Sequence, residues 1–137
     1  MKPPPLFVGI NGFDAHTLAR LQHFNDTTGP SAKYKSIVLS LEDSKNNVVG
    51  GLSGQCAYEW FHIEAVVVPE DARRKGLGRA LMQQAEAIAA SHGCTGAWLG
   101  TLAFQARGFY EKLGYSLFGE LENFPSGGSY FFMRKEL

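Results

Sequence analysis

The sequence predicts a single α+β (mixed α/β) domain built around a mixed, mostly antiparallel sheet with flanking helices. Strand-like and helix-like runs follow one another along 137 residues, without a repeat or a low-complexity tract. The longest helix-like run stands between two strand-like runs, which favours one parallel strand pair in the middle of the chain. Short polar turns join the other strand-like runs and favour antiparallel hairpins. The length is close to the usual ~150 residues of one domain, so residues 1–137 are expected to fold as one.

The first part of the chain predicts three strands and one helix. Residues 6–10 are apolar and precede a polar turn, which is typical of a strand. Apolar side chains recur at helical spacing over residues 16–24, and the polar stretch 25–30 is expected to end that helix. Two alternating runs on either side of a polar turn predict a hairpin, at residues 36–41 and 48–55.

The second part of the chain predicts two helices and four strands. Residues 60–68 form a strand-like run that ends before Pro69, which has no amide hydrogen for a sheet. Residues 77–92 carry apolar side chains at helical spacing and predict the longest helix, which Gly93 is expected to end. The remaining elements follow in order: a strand at 95–99, a helix at 104–113, and strands at 115–121 and 130–134.

Composition excludes several classes of protein. Thirteen basic and thirteen acidic side chains cancel, so the chain lacks the positive field of a duplex nucleic-acid binder, and no nucleic-acid partner is expected. Cys56 and Cys94 are the two cysteines and have no metal-ligand spacing, so no metal site is expected. Their surroundings are typical of reduced thiols in the cytoplasm. The longest apolar run, residues 65–68, is far shorter than the ~20 residues that cross a bilayer, so no membrane association is expected.

The most informative stretch is the basic, glycine-containing turn that leads from an apolar strand into the longest predicted helix. Its residues are Arg73, Arg74, Lys75, Gly76, Leu77, Gly78 and Arg79. The first turn of a helix offers free N–H groups and the positive end of the helix dipole, and glycines let an anion approach the backbone. The stretch therefore predicts a diphosphate site. As an alternative, the glycines only ease the turn and the basic side chains are solvated, although cations at a helix N-terminus are unfavourable without an anion.

Two motifs resemble those of a known family. The pattern Arg73-x-x-Gly76-x-Gly78 after an apolar strand is similar to the Arg/Gln-x-x-Gly-x-Gly/Ala signature of the GNAT superfamily of acetyl-CoA-dependent N-acetyltransferases. Residues 109–115, Phe-Tyr-Glu-Lys-Leu-Gly-Tyr, resemble the second signature of that superfamily, and the resemblance runs from about residue 48 to the C-terminus. It implies a splayed parallel strand pair and transfer of an acetyl group from the co-substrate acetyl-CoA to a primary amine, by direct attack in a ternary complex. The acceptor, a small-molecule or peptide amine, is not specified.

The resemblance also implies roles for particular residues. Tyr110 matches the tyrosine that protonates the departing coenzyme A thiolate, although a tyrosine of the core is the alternative. A backbone N–H at Val66 or Val67 would stabilise the oxyanion. The family often has an asparagine where this chain has Ala103, and Gln105 could reach the same atoms. The implied coenzyme-binding residues are Val66, Val67, Val68, Arg73, Arg74, Lys75, Gly76, Leu77, Gly78, Arg79, Gln105 and Tyr110.

Two residues compete for the role of general base. His62 and Glu64 lie two apart on one predicted strand, so their side chains share a face. Either could take the proton of an alkylammonium group, directly or through water. Glu64 ranks first, because a carboxylate in an apolar strand is unusual without a partner or a function. Its alternative role is an ion pair with a neighbouring arginine.

Other functions remain open on the sequence alone. A non-catalytic acyl-CoA-binding module would need the same coenzyme site. A nucleic-acid-binding domain that uses residues 73–75 is disfavoured, because so few charges make few phosphate contacts. The aromatic side chains of Tyr58, Trp60, Phe61 and residues 130–132 could line an acceptor pocket or belong to the core. A homodimer through the terminal strands is compatible with the pattern.

Overall fold

The computed structural model describes residues 2–137, which form two compact units. The first ends at Ser31 and the second spans Ala32–Leu137. The expectation of one domain over the whole chain stays a prediction.

The first unit contains one helix, α1 (Ala15–Thr28). Its N-terminus is capped by Asp14, whose carboxylate accepts a hydrogen bond from the Thr17 amide at 2.8 Å. The helix extends past the predicted end at residue 24, because the Thr27 hydroxyl donates to the His23 carbonyl at 2.9 Å and is satisfied inside the helix. The prediction of a strand at residues 6–10 is wrong: these residues have no regular structure. A strand needs a neighbour, and the described sheet pairs none with them.

The second unit is a six-stranded sheet with two helices. Its strands lie in the order β1-β2-β3-β4-β6-β5. The strands are β1 (Lys35–Glu42), β2 (Val48–Ala57), β3 (Trp60–Val67), β4 (Gly96–Leu102), β5 (Ser116–Glu122) and β6 (Ser129–Glu136). The α-helices are α2 (Leu77–Ser91) and α3 (Arg107–Lys112), and a short 3₁₀ helix spans Glu70–Ala72. Only β3 and β4 are parallel, so the predicted mixed α+β sheet with one parallel pair is confirmed.

The helix α3 is shorter than predicted. Residues 104–106, which the sequence places in the helix, belong to a loop. The Gln105 side-chain oxygen accepts a hydrogen bond from the Leu102 amide at 2.7 Å, and the Gln105 amide donates to the Leu102 carbonyl at 2.9 Å. These bonds close the end of β4 into a tight loop, so the helix begins only at Arg107.

The two parallel strands separate halfway along their length. Their pairing runs from Trp60 opposite Gly96 to Ile63 opposite Leu99. Beyond that point β3 pairs only with β2, and β4 only with β6. On the other side of β3, the register with β2 shifts at Glu64, which makes this residue a β-bulge. The bulge bends β3 away from β4, and a gap opens between the two strands.

One face of the sheet packs against α2. Along β3 the side chains alternate, so Phe61 and Ile63 are buried while Trp60 and His62 are half-buried on the opposite face. The fully buried side chains on the α2 side include Phe61, Met82, Leu99 and Met133. The opposite face carries several aromatic rings, among them Trp60.

A buried polar cluster joins α2 to the last two strands of the sheet. The Glu86 carboxylate accepts hydrogen bonds from the Tyr115 hydroxyl at 2.7 Å and from Lys135 Nζ at 2.8 Å. Burial and the hydrogen bond to Glu86 raise the pKa of Tyr115 well above its usual range. Both groups bond to Glu86, so the removal of Glu86 leaves the Tyr115 hydroxyl and Lys135 without this partner.

Replacement of Glu86 by alanine should therefore lower the free energy of unfolding by about 3 kcal/mol, because it leaves a lysine and a hydroxyl without their hydrogen-bond partner. Urea denaturation measures the loss. A matched control is Glu111→Ala, which removes an exposed ion pair to Arg107 on α3 and should cost at most about 0.5 kcal/mol. Equal losses in the two variants would show that the buried cluster contributes nothing special.

Candidate functional site

A cavity of about 1050 Å³ lies where β3 and β4 separate. Its walls come from the end of β3, the following loop, the first turn of α2, the end of β4 and one side of α3. It brings together the two sequence motifs, which are more than thirty residues apart in the chain. The residues of the two motifs and the other implied coenzyme-binding residues that line it are Val66, Val67, Val68, Arg73, Arg74, Gly76, Leu77, Gly78, Arg79, Gln105, Phe109, Tyr110 and Lys112.

The gap offers unpaired backbone groups to an extended ligand. Past Ile63 and Leu99 the two strands no longer share hydrogen bonds, so alternate N–H and C=O groups of residues 64–68 face the gap without a strand partner. A chain of amide groups such as the pantetheine arm of coenzyme A could pair with them as a strand would. Val66, Val67 and Val68 are the residues in place for this pairing.

The start of α2 is built to receive an anion. Its N-cap, Gly76, has a left-handed backbone (φ 77°), and no side chain of the described residues caps the helix. The amides of the first turn are therefore free, at the positive end of the helix dipole. Arg73, Arg74 and Arg79 line the same cavity. Lys75, which stands next to them in the basic turn and is an expected coenzyme-binding residue, does not line it.

The two glycines of the motif are required for different reasons. A side chain on Gly76 would meet open space, but the left-handed φ of this residue favours glycine. Gly78 has an ordinary helical backbone, and a Cβ there would lie 3.1 Å from Phe109 Cζ and 3.6 Å from Val68 Cγ2. The motif predicts close approach of an anion at both glycines. At Gly78, the close packing of Phe109 is a further constraint.

Tyr110 lies on α3 and lines the cavity. Its ring packs edge-on against Phe109 and Tyr115, with centroid distances of 5.1 and 6.1 Å. Burial raises the pKa of the Tyr110 phenol above its ordinary value. The hydroxyl is thus protonated at neutral pH and can donate a proton or a hydrogen bond into the cavity.

Glu64 and His62 occupy different surroundings. Glu64 is the exposed bulge residue at the mouth of the gap and lines the cavity. Among residues 2–137 the recorded ion pairs do not include Glu64, so the alternative of an arginine partner is not realised there. His62 does not line the cavity; its ring stacks on Trp98, with centroids 3.8 Å apart and an interplanar angle of 4°. Burial lowers the pKa of His62, an effect that nearby Glu64 partly opposes.

Gln105 also lines the cavity, but the oxygen of its side-chain amide is already hydrogen-bonded. Its oxygen accepts hydrogen bonds from the Leu102 amide at 2.7 Å and the Thr101 hydroxyl at 3.4 Å. The side-chain nitrogen is left to donate. Sequence reasoning missed Gly100 and Phe104, which line the cavity as well. A glycine inside a predicted strand is a signal for close approach of another group, and it could have identified Gly100.

The described residues contain no group of three or more His, Cys, Asp or Glu side chains placed to hold a metal ion. Nor does any helix among them combine the length and the apolar character that a membrane span requires.

Comparisons with known proteins agree on one family. Residues 11–115 match the model of the acetyltransferase (GNAT) family. The chain is 32% identical over 134 residues to blasticidin-S acetyltransferase of Streptomyces morookaense, and the match covers 88% of this chain and 98% of that relative. It is 32% identical over 121 residues to acetyltransferase Atu2258 of Agrobacterium fabrum, with 88% and 82% covered. The crystal structure of an acetyltransferase from Bacillus cereus superposes with a TM-score of 0.85 at 26% identity, over 95% of this chain and 98% of that one.

Proposed function

The chain belongs to the acetyltransferase (GNAT) family, and on that premise we propose that it moves an acetyl group from acetyl-CoA to a primary amine. The attack is direct, in a ternary complex of protein, acetyl-CoA and amine. One observation carries the proposal: the gap between β3 and β4 opens beside the uncapped N-terminus of α2, within one cavity. An extended amide chain and a diphosphate can both be held there.

The cavity fits the two parts of the coenzyme separately. The free amides of the first turn of α2, together with Arg73, Arg74 and Arg79, suit the diphosphate, because they combine hydrogen-bond donors with positive charge. The backbone of residues 66–68 suits the pantetheine arm. The bound coenzyme supplies an activated acetyl group, and the chain supplies the groups that move protons around it.

Glu64 serves as the general base in this proposal. Its carboxylate lies at the mouth of the gap, where an incoming amine would pass. An alkylammonium group must lose a proton before its nitrogen can attack a carbonyl, and Glu64 takes this proton directly or through water. His62 is less suitable, because its ring is stacked on Trp98 outside the cavity.

Tyr110 serves as the general acid. Its hydroxyl remains protonated at neutral pH, since burial raises its pKa, and it donates that proton to the thiolate that leaves. A backbone N–H of Val66 or Val67 donates to the oxygen that becomes negatively charged during attack, because alternate amides of residues 64–68 face the gap without a strand partner. Gln105 holds the coenzyme through its side-chain nitrogen.

The acceptor in this proposal is a small-molecule amine. One relative is named for the acetylation of blasticidin S, which supports a small acceptor over a peptide. The two buried cysteines, Cys56 and Cys94, are free thiols, which suits a reducing compartment such as the cytoplasm.

Two measurements test the proposal. Calorimetry with acetyl-CoA should show binding, and a panel of primary amines should release free coenzyme A thiol faster than acetyl-CoA hydrolyses alone. Binding without release for any amine would favour a non-catalytic acyl-CoA-binding module. Absence of binding would reject the proposal as a whole.

The variant Arg79→Glu should separate a binding role from a structural one. It should weaken acetyl-CoA binding by about tenfold or more, because a charge-assisted contact to phosphate is replaced by repulsion. The free protein should become slightly more stable, since an acidic side chain in the first turn of α2 is favoured by the helix dipole. Calorimetry and thermal melting measure the two effects. Lys45→Glu makes the same charge change in the turn between β1 and β2 and should alter neither; affinity retained in Arg79→Glu would contradict the prediction.

A further inference from the structure

A second cavity, of about 550 Å³, lies on the face of the sheet opposite α2. We call it the aromatic cavity, and its lining residues are Trp60, Trp98, Phe118, Phe132 and Arg134. We propose that it binds the acceptor, and that the acceptor is a monoamine whose body is a flat aromatic or heteroaromatic ring. This inference rests on the proposed function, because it names the substrate class for the same reaction.

The walls of the aromatic cavity are held in place by ring contacts. The guanidinium carbon of Arg134 lies 4.8 Å from the centre of the Trp60 ring, and the Phe118 and Phe132 ring centroids are 6.2 Å apart. Trp60 packs directly over Gly96, where any Cβ would collide with its ring. The Trp60 ring is therefore held on the sheet before a ligand arrives, which reduces the entropy lost on binding.

Packed rings beside the aromatic cavity contact residues at the edge of the gap where acetyl transfer is proposed. Tyr130 packs edge-to-face on Phe132, with centroids 4.9 Å apart. Its hydroxyl lies over the backbone of Gly100, and Gly100 lines the coenzyme cavity. On the other side, Trp98 stacks on His62, two residues before Glu64. A ligand ring in the aromatic cavity would thus hold its amine near the gap and the proposed base.

The charge of the lining selects among amines. Arg134 is the one charged residue of the five, and it is positive. A polycation such as a polyamine would meet this charge without a carboxylate to balance it. A flat ring can stack on the tryptophans or meet the phenylalanines edge-on, and acceptor atoms at its rim can receive hydrogen bonds from Arg134. The volume suits a ligand of small-molecule size.

The chain carries a built-in probe for this proposal. It contains two tryptophans, and both line the aromatic cavity. Titration with 2-phenylethylamine should therefore change the tryptophan fluorescence saturably, without any catalysis. The matched amine 2-cyclohexylethylamine has the same chain but a puckered ring, and should bind roughly five- to tenfold more weakly because stacking is lost. Spermidine should leave the fluorescence unchanged.

Variants connect the signal to the cavity. Phe118→Ala removes an exposed ring at the rim of the aromatic cavity. It should lower the affinity for 2-phenylethylamine severalfold. Leu117→Ala, the neighbouring position on β5, lies outside the lining and should leave the affinity unchanged. Thermal melting confirms that both variants fold; if Phe118→Ala does not, the comparison of the two amines on the unmodified protein decides alone.

The outcomes separate this inference from the proposed function. Fluorescence changes that prefer the flat ring, without release of coenzyme A, would support the aromatic cavity and contradict acetyl transfer. Release of coenzyme A with spermidine and 2-cyclohexylethylamine as readily as with 2-phenylethylamine would overturn the inference and leave acetyl transfer standing. Equal fluorescence responses to both ring amines would also overturn it.

Discussion

The substitution Tyr110→Phe should lower kcat for acetyl transfer by about a hundredfold, because it removes the proton donor for the leaving thiolate. Binding of acetyl-CoA should be nearly unchanged, since a phenylalanine ring keeps the edge-on contacts with Phe109 and Tyr115. Steady-state kinetics and calorimetry measure the two quantities.

The pH dependence of kcat gives an independent test of the acid role of Tyr110. Burial raises the pKa of Tyr110 above its ordinary 10.0, so the donor is protonated throughout the neutral range and is lost only at higher pH. The alkaline fall in kcat should therefore lie above pH 10 in the unmodified protein and be absent in Tyr110→Phe.

Tyr115→Phe is the matched control, because it removes the hydroxyl of a neighbouring tyrosine that lies outside the cavity. It should reduce stability through loss of the bond to Glu86 and leave kcat intact. A full rate in Tyr110→Phe would reject the acid role.

The substitution Glu64→Gln should reduce kcat/KM for the amine by about a hundredfold or more at neutral pH, because the amide cannot accept the ammonium proton. The side chain is exposed at a bulge, so stability should hardly change. The loss of kcat/KM in Glu64→Gln should become smaller as the pH rises, because more of the amine is then already deprotonated. A loss that is the same at every pH would point to a binding role for Glu64 instead.

The competing base can be tested at the same time. His62→Phe keeps a ring for the stack on Trp98 but removes both nitrogens. Burial lowers the pKa of His62 below its ordinary 6.5, so its neutral form predominates at pH 7. If His62 were the base, the variant would lose most activity and the acidic limb of the profile. We expect a much smaller loss, with the acidic limb retained.

The sequence was sufficient for the features that depend on local pattern. The long helix α2, the parallel pair around it and the basic turn at its start follow from spacing and from the residues themselves. Residues 6–10 misled the prediction because strand propensity does not tell whether a partner strand exists. Residues 25–28 looked like a helix break, yet local hydrogen bonds by Thr27 let the helix continue.

Contacts between distant residues could not be predicted. The packing of Phe109 on Gly78 joins positions 31 apart, and no local pattern encodes it. The sequence does not decide whether the aromatic residues near position 60 belong to the core or line a pocket. The structure divides them by strand alternation: Phe61 is fully buried and Trp60 lines the aromatic cavity. Only the register, set by the turn at residues 58–59 and the bulge at Glu64, determines which residue faces which side.

The short pairing of β3 with β4 has a consequence for cohesion. Four residue pairs join one three-stranded half of the sheet, β1 to β3, to the other half, β4 to β6. Within each half, neighbouring strands share at least six residue pairs. The boundary between β3 and β4 is therefore where the sheet has the fewest backbone hydrogen bonds. A coenzyme lying in the gap would act as a partial seventh strand that ties the halves together, and the amides of residues 64–68 would then exchange their hydrogens with water more slowly.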